Sequence, residues 1–466
     1  MPNRRQMMLQ TAAAAILPTA GYALTDMAAQ AAALGRPLKI LAPNGSQANL
    51  APVLSSFDAA YGCPAALVVT DLDNINAMLA LEALTQAHGI DVALPATFGI
   101  PDLAENGAIR PLEDIATRPG QSGQTIQSLY STGDMFDGHR WGYQTDGDVY
   151  MMFYHKDFLT NSVHKAQYED RFGEALQVPL DWRSLDRQMA FFHRPDEGMY
   201  GGCLFRTDIY AVWEWWMRFH AEGVWPFSAD MTPQIDGDAG VKALEDMIAS
   251  AEHLTGAHLG FFGNWDRYQQ GDIYANVGWG GTQKSLNASG SAMRGRVLPA
   301  RLPCAAFGED RIPLSYFNWG WSYVVTRQSP VPELAHAFAR HAVSGPVSAD
   351  AVAQADSFFD PFRENHYSNP SIIETYGKGF LGEHRKAMSE AIPDLYLARR
   401  NAYFEKLSYW LSVALAREVT PERALRNVAE SWRLITSRVG HNAQEARWQA
   451  LRRQYPKKLR TLLRDL

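Results

Sequence analysis

Asp146 and Asp148 stand two residues apart in the stretch WGYQTDGDVYMMFYHKDF, residues 141–158. On an extended chain that spacing turns both carboxylates to the same side. Acids in this arrangement serve as a glycosidase pair, as metal ligands, or as a pocket wall that accepts hydrogen bonds from ligand hydroxyls. A glycosidase needs two carboxyls about 5 to 10 Å apart on either side of the scissile bond, usually from different segments, and no second segment nominates the partner acid. The plain alternative is a turn capped by Asp and Gly. Asp236-Gly-Asp-Ala-Gly240 looks calcium-like but lacks the ligand order and terminal Glu of an EF-hand, so it reads as a solvated loop. The 13 histidines include no HExxH and no pair at metal spacing on a helix, and neither GxSxG nor GxxxxGK[ST] occurs. No catalytic residue, metal site or cofactor is therefore expected, and the pattern points to binding.

The other chemistry-bearing residues fall in loop segments rich in aromatic and hydrogen-bonding groups. Asn44 and Ser46 lie in PNGSQ, Thr97 and Phe98 in PATFG, Trp279 and Gly280 in NVGWGGTQ, Asn318 and Trp319 in SYFNWGWSY, and Arg363 in SFFDPFRENHY. Each segment ends a strand or joins two elements, where sites are normally built on a rigid scaffold. Trp279 and Trp319 each pair a flat ring with glycines that allow close approach. Sugars and polyols suit such a lining: their C–H faces pack on rings, and their hydroxyls need carboxylate, amide or guanidinium partners. For every ring the alternative is core filling. Trp279, at a strand end between Gly278 and Gly280, is expected to anchor a ligand rather than the core. Arg363 either reaches that ligand or pairs with Asp360 in a surface turn.

The elements that must position these residues alternate. LKILAPNG (38–45), AALVVT (65–70) and IDVALP (90–95) read as strands, and the segments 50–62 and 75–89 between them have helical apolar spacing and end in Gly. A mostly parallel sheet with covering helices follows, with ligands at the strands' C-terminal ends. Residues 180–265 turn helical and aromatic, strands return at 273–279 and 323–326, and the C-terminal hundred residues are helical again. There Phe404, Leu407, Leu411 and Leu415 form an apolar stripe, and a helix is framed by Thr420, Pro421 and Gly440.

Bulk composition narrows the function. The 466 residues, 46% hydrophobic and 20% charged, suffice for two or three domains, and a net charge of -7 without a long basic run argues against nucleic acid. Cys63, Cys203 and Cys304 are too far apart for a disulfide framework or a cysteine zinc site. Residues 1–33 read as an export signal: Arg4 and Arg5 precede an Ala-rich stretch too short to span a bilayer, as either a twin-arginine or a Sec signal, with cleavage near Ala23 or within Ala29 to Ala33.

The order of these segments resembles the family 1 extracellular solute-binding proteins of ABC importers, the group that includes maltose-binding protein. The likeness runs through LKILAPNG...FDAAYG...AALVV, DVALPATFGIPDLAENGAIRPLEDI, WGYQTDGDVYMMFYHKDF...VPLDWRSL, QGDIYANVGWGG and YVVTRQSPVPELAHAF. It departs where a family proline is Gln144 and where the usual G-K-x-A-M is GDIYANV. The resemblance implies a two-lobed α/β periplasmic binding protein fold, each lobe a mostly parallel sheet flanked by helices, with a helical C-terminal region. It places the N-lobe at 37–143 plus 318–357 and the C-lobe at 148–315 plus 365–466. It further implies a periplasmic monomer that captures a neutral hydroxyl-rich solute, a sugar, oligosaccharide or polyol, in an interlobe cleft and delivers it to ABC permease subunits. Asp146 and Asp148 would then sit at the hinge and hydrogen-bond the ligand. The alternatives are a secreted carbohydrate hydrolase using Asp146 or Asp148, and the same fold binding a cation, cofactor or aromatic compound.

Overall fold

Leu38-Lys-Ile-Leu-Ala-Pro43 carries apolar side chains on both faces, as a strand covered from both sides requires, and it forms β1 (Leu38–Pro43). The computed structural model describes residues 27, 29–86, 88–115, 128–307 and 310–466. The arginine pair Arg4-Arg5 and the candidate cleavage point at Ala23 lie outside the described residues. Helix α1 (Gln47–Tyr61) follows β1 and stops at Gly62, whose φ of 61° is the left-handed conformation glycine adopts without strain. Strand β2 (Ala65–Thr70) pairs in parallel with all of β1, from Leu38 opposite Ala65 to Pro43 opposite Thr70. Helix α2 (Ile75–Thr85) returns the chain to β3 (Val92–Ala93) on the other side of β1.

Apart from two small two-stranded ribbons, Met135–Phe136 with His139–Arg140 and Leu302–Phe307 with Asp310–Leu314, the strands of the two main sheets include β4 (Gly142–Gln144), β5 (Val149–His155), β6 (Tyr200–Cys203), β7 (Ile273–Gly278), β8 (Tyr316–Phe317), β9 (Ser322–Val325) and β10 (Ile392–Pro393). One sheet runs β2-β1-β3-β9-β4 and the other β10-β8-β5-β7-β6, with the segment Val297–Ala300 also pairing β5. Among the described residues each sheet has one strand set against the rest: β9 in the first and β5 in the second. These two are the strands that have just crossed from the other sheet, β4 to β5 through 145–148 and β8 to β9 through 318–321. A strand entering from the facing sheet starts at the shared edge and runs away from it, against the neighbours whose C-terminal ends point there. Both sheets therefore aim their C-terminal ends at one cleft, and the expected mostly parallel sheets hold with that one exception in each.

A third passage follows the helix Gly345–Val352, which is tied to α1 where Asn49 Nδ2 donates to the Ala351 carbonyl (2.7 Å). It runs through Asp360 to the helix Pro370–Tyr376, whose last carbonyl accepts from Gln283 Nε2 (2.9 Å). The helical reading of 208–221 also holds, and Trp213, Trp215 and Trp216 of that helix are all buried. Burial alone would raise the carboxyl of Glu214 among them, but Arg206 at 2.7 Å and Arg218 at 2.9 Å hold it below its usual range. In the C-terminal region Thr420 caps the helix Pro421–Val439 by accepting from the Arg423 N–H, and Gly440 ends it. Phe404, Leu407 and Leu411 are buried, while Leu415 is half-buried. The three cysteines are buried free thiols.

Asp134 fastens the two strands at which the first crossings begin and end. It accepts from Ser322 Oγ (2.5 Å), Gln144 N–H (3.0 Å) and Arg140 Nη1 (3.3 Å). Burial raises its carboxyl from 3.8 to about 6 against the pull of these donors. The folded state thus holds this proton more tightly than the unfolded chain does, so the contribution is fully present below about pH 4 and is lost as pH rises through 6. Asp134→Asn should gain stability relative to the wild type between pH 4 and 6, by up to about 3 kcal/mol, with no further change above that range. Calorimetric melting of both proteins from pH 4 to 8 checks this; a constant difference would show that Asp134 is ionised throughout.

Candidate functional site: an interlobe groove above an aromatic chamber

The strand ends of the first sheet lead into Leu72 and into Ala96–Gly99, and these form one wall of a groove of about 740 Å³. Helix Arg400–Leu415 forms the opposite wall, and Trp319 of the second crossing lies at the base. Asn76 Oδ1, Asp102 Oδ1 and Arg400 Nε are buried here with no hydrogen-bond partner. Such groups are costly unless something else satisfies them. Burial raises the Asp102 carboxyl, against the Asn401 N–H (3.3 Å) and the nearby Arg400. The Arg400 guanidinium is salt-bridged to Asp394 and lies over the rings of Phe98 (4.4 Å) and Phe404 (4.1 Å).

Beneath the groove, Leu72 and Trp319 also close a chamber lined by Asp148, Phe261, Trp279, Trp321 and Phe358. Its volume is about 10 Å³, room for about one water molecule and not for a monosaccharide. The rings meet one another: Trp213 and Trp319 at 5.3 Å, Phe261 and Trp279 at 5.5 Å, and Trp279 and Trp319 edge to face at 5.8 Å and 88°. Trp279 is 1% exposed, and its Nε1 donates to Asn318 Oδ1 (2.9 Å). The expectation that Trp279 has little core function is corrected, because Tyr150, Phe205 and Tyr210 also pack on it. Its flanking glycines admit protein rather than ligand: a Cβ at Gly278 would lie 2.2 Å from Thr282 Oγ1, and one at Gly280 would lie 2.4 Å from the Asp360 carboxylate.

Where the three crossings meet, their hydrogen bonds are to one another. Thr145 N–H donates to the Trp321 carbonyl (2.9 Å), Gly320 N–H to Asp148 Oδ2 (3.2 Å) and Asp360 N–H to Asp146 Oδ1 (2.6 Å). Gln144, where the resembling family has proline, donates its amide to the Asp146 carbonyl (2.7 Å). Asp146 is fully buried in this junction, and Asp148 alone of the pair reaches the chamber. Asp146, Asp148 and Asp360 each bring an oxygen within 4.8 Å of the others, a spacing that a cation could bridge. Lys284 already supplies positive charge beside them, with its Nζ donating to the carbonyls of Phe359 (2.8 Å) and Gln354 (2.9 Å). Burial and the mutual repulsion of the acids hold Asp146 and Asp148 well above the carboxylate range. Burial raises Asp360 to about 6 against the pull of Lys284, and burial lowers Lys284 to about 8 against the pull of Asp360.

Of the residues singled out from the sequence, Phe98 and Trp319 line the groove, Asp148, Trp279 and Trp319 line the chamber, and Asn318 and Gly280 pack directly behind them. Thr97 supports Trp319, its Oγ1 donating to the Trp319 carbonyl. Ser46 is buried and donates to the Pro43 carbonyl (2.7 Å), and Asn44 is exposed and accepts from Gln47 (3.1 Å), so both serve their own turn. Arg363 is in neither the groove nor the chamber. Its guanidinium donates to the Val343 carbonyl rather than pairing with Asp360, and it borders a separate surface cavity with Glu364, Lys378 and Arg385. Sequence reasoning missed Asn76, Asp102, Lys284, Asp360 and Arg400, which no local motif marks. Gly377 to Gly382 spells GxGxxG, but it follows the helix Pro370–Tyr376 and, after Gly377, forms the start of the helix Lys378–Ser389, whereas a dinucleotide site needs a strand before it.

This arrangement is the fold of the two-lobed solute-binding proteins of ABC transporters. One similar structure is an ABC transporter solute-binding protein of Agrobacterium radiobacter K84 in complex with ribitol, at a TM-score of 0.71 and 17% identity over 86% of this chain and 99% of that one. Another is maltose-bound MalE3 of T. maritima, at 0.69 and 17% over 86% and 99%. The GacH receptor of Streptomyces glaucescens GLA.O, solved unliganded and with acarbose, matches at 0.68 and 19% over 85% and 97%. No protein-family model matches the sequence, and no curated protein does.

A ring that packs on Tyr150, Phe205, Tyr210 and Phe261 is structural even where one side lines the chamber. Trp279→Ala should lower unfolding free energy by about 3 to 5 kcal/mol, and Gly280→Ala should also destabilise, because its Cβ collides with the Asp360 carboxylate. Urea unfolding without added solute measures both. A Trp279→Ala protein as stable as the wild type would show that the ring is free of the core.

Proposed function

We propose that the chain is the solute-capturing component of an ABC importer, holding a hydroxyl-rich solute, a sugar or polyol, in the interlobe groove and delivering it to permease subunits. The observation that carries this reading is the groove itself: unpartnered Asn76 Oδ1, Asp102 Oδ1 and Arg400 Nε line it together with the rings of Phe98 and Trp319. Ribitol, maltose and acarbose in proteins of the same fold support the ligand class. The lobes are 37–143 plus 318–357 and 148–315 plus 365–466, with the crossings 145–148 and 318–321 as the hinge. The working form is an exported, periplasmic monomer; no helix among the described residues is long and apolar enough to cross a membrane. A hydrolase using Asp146 or Asp148 fits poorly, because Asp146 is fully buried and hydrogen-bonded within the junction, and no second acid lines the chamber opposite Asp148.

Closure about the hinge makes the reading testable. A panel of ribitol, mannitol and maltose should contain a compound that raises the melting temperature, by the equivalent of about 2.7 kcal/mol at a hundred times its Kd. The same compound should reduce the scattering radius and shift tryptophan emission. Asp102→Ala should weaken its binding about tenfold, as expected for a lost charged partner, with little change in the unliganded melting temperature. Unchanged radius and emission at saturation would overturn the hinge, and turnover of a chromogenic glycoside abolished by Asp148→Asn would replace binding with hydrolysis.

A further inference from the structure

Groove and chamber differ in chemistry. The groove offers amides and hydroxyls, whereas the chamber sets five rings, Phe261, Trp279, Trp319, Trp321 and Phe358, around a single ionisable side chain, Asp148. A hydroxyl-bearing ring placed there would leave most of its hydroxyls unpaired, at a penalty for each. The faces of aromatic rings are electronegative and attract cations, most strongly where water is excluded.

The ionisable groups around the chamber are mainly acids. Asp148 belongs to a group of three buried acids, Asp146, Asp148 and Asp360, whose oxygens lie within 4.8 Å of one another and which keep only the charge that Lys284 offsets. Their one neighbouring ammonium, Lys284, spends its hydrogen bonds on the Gln354 and Phe359 carbonyls. In the groove, Asp102 and Glu405 add negative charge, and the guanidinium of Arg400 is matched by Asp394. An anionic solute would disfavour ionisation of these acids and a neutral one brings no charge partner, whereas a cation would supply the charge that lets a buried acid ionise. A primary ammonium would bring three N–H donors to one carboxylate, leaving donors against ring carbons. Alkyl groups on nitrogen remove that mismatch and pack on the rings.

Resting on the reading of groove and chamber as one solute site, we infer that the solute carries an alkylated ammonium group that seats against Asp148 between Trp279 and Trp319, while its hydroxyl-bearing remainder lies in the groove. Entry requires the ring faces to part, as lobe opening would allow, since Leu72, the crossing tryptophans and Phe261 reach the chamber from different elements. Burial and its acid neighbours keep the Asp148 carboxyl well above the usual range. A cation beside it favours the ionised form, so binding releases a proton.

The test is calorimetry on the full chain with matched pairs that differ in charge but little in shape: choline against 3,3-dimethylbutan-1-ol, and N-methyl-D-glucamine against D-glucitol, with maltose and ribitol as neutral references. The cationic member of at least one pair should bind about tenfold or more tightly than its partner, Asp148→Asn should abolish that preference, and the heat should vary with the buffer's ionisation enthalpy for the cation only. If Asp148→Asn does not fold, the buffer series on the wild type decides: proton release with the cation sustains the inference, and none overturns it. Neutral members binding as tightly as the cations, or maltose or ribitol binding while no cation does, overturns the inference and leaves the solute-capture reading standing. Choline binding with no hydroxyl-rich compound binding sustains the ammonium site and removes the sugar or polyol reading. No binding by any probe overturns both.

Discussion

Burying a carboxylate costs several kcal/mol unless other groups take over from its hydration, and this chain buries three at one point, Asp146, Asp148 and Asp360, with one lysine beside them. The cluster keeps only as much charge as Lys284 can offset. The rest is held as protonated acid, which is why the pKa values of Asp146 and Asp148 rise so far while that of Asp360, nearest in charge to Lys284 and bonded to Tyr376, rises only to about 6. What the fold gains is geometry. Asp146 and Asp148 accept backbone N–H groups from the other two crossings, so the three passages between the sheets are hydrogen-bonded to one another rather than to water. The positions of Trp319 and Trp321, on the second crossing, and of Phe358, on the third, follow from that junction, and with them the walls of the chamber.

The groove depends on strand direction. All strands but one in each sheet point their C-terminal ends at the shared cleft, so the turns after β2 and β3 deliver Leu72, Thr97 and Phe98 there without further help. Thr97 shows how a polar residue at a strand end can act indirectly: by bonding the Trp319 carbonyl it sets the backbone that carries the groove's basal ring. Arg400 approaches from the opposite wall, 1% exposed, with its charge answered by Asp394 and its flat face by Phe98 and Phe404. A lysine there would keep the charge but lose the planar stacking.

Elements governed by local physics were legible in the sequence. Strand β2 was readable to the residue from its β-branched run, α1 from its apolar spacing and its glycine stop, and the Pro421–Val439 helix from its Thr, Pro and Gly punctuation. The site was legible only in part. Phe98, Asp148 and Trp319 could be found because they sit at strand ends in aromatic loops. Asp360 and Lys284 could not, because their partners are distant in sequence: Asp146 lies 214 residues from Asp360. Trp279 was misjudged for the same reason. Its flanking glycines suggested open approach, and nothing local announces that Asp360 and the rings of Phe205, Tyr210, Trp213 and Phe261 occupy that space. Arg363 shows the reverse error, a residue in the right loop on the wrong side of it.

The aromatic contacts also bear on affinity. Phe98 comes from the first sheet's strand ends, Trp319 from a crossing, and Trp213 from a helix beside the second sheet, and these three touch one another across the base of the groove. Such contacts, worth about 0.5 to 1.5 kcal/mol per pair beyond the area they bury, hold this arrangement together without a solute. A solute that passes from the groove into the chamber must displace Trp319, which lines both, so only the excess of its own contacts over those it displaces shifts the population toward a liganded state. A compound occupying the groove alone leaves the ring cluster intact and does not have to compensate for opening it. The depth to which a solute penetrates therefore sets how much of its contact energy appears as affinity, and a shallow polar ligand can compete with a deeper one that buries more surface.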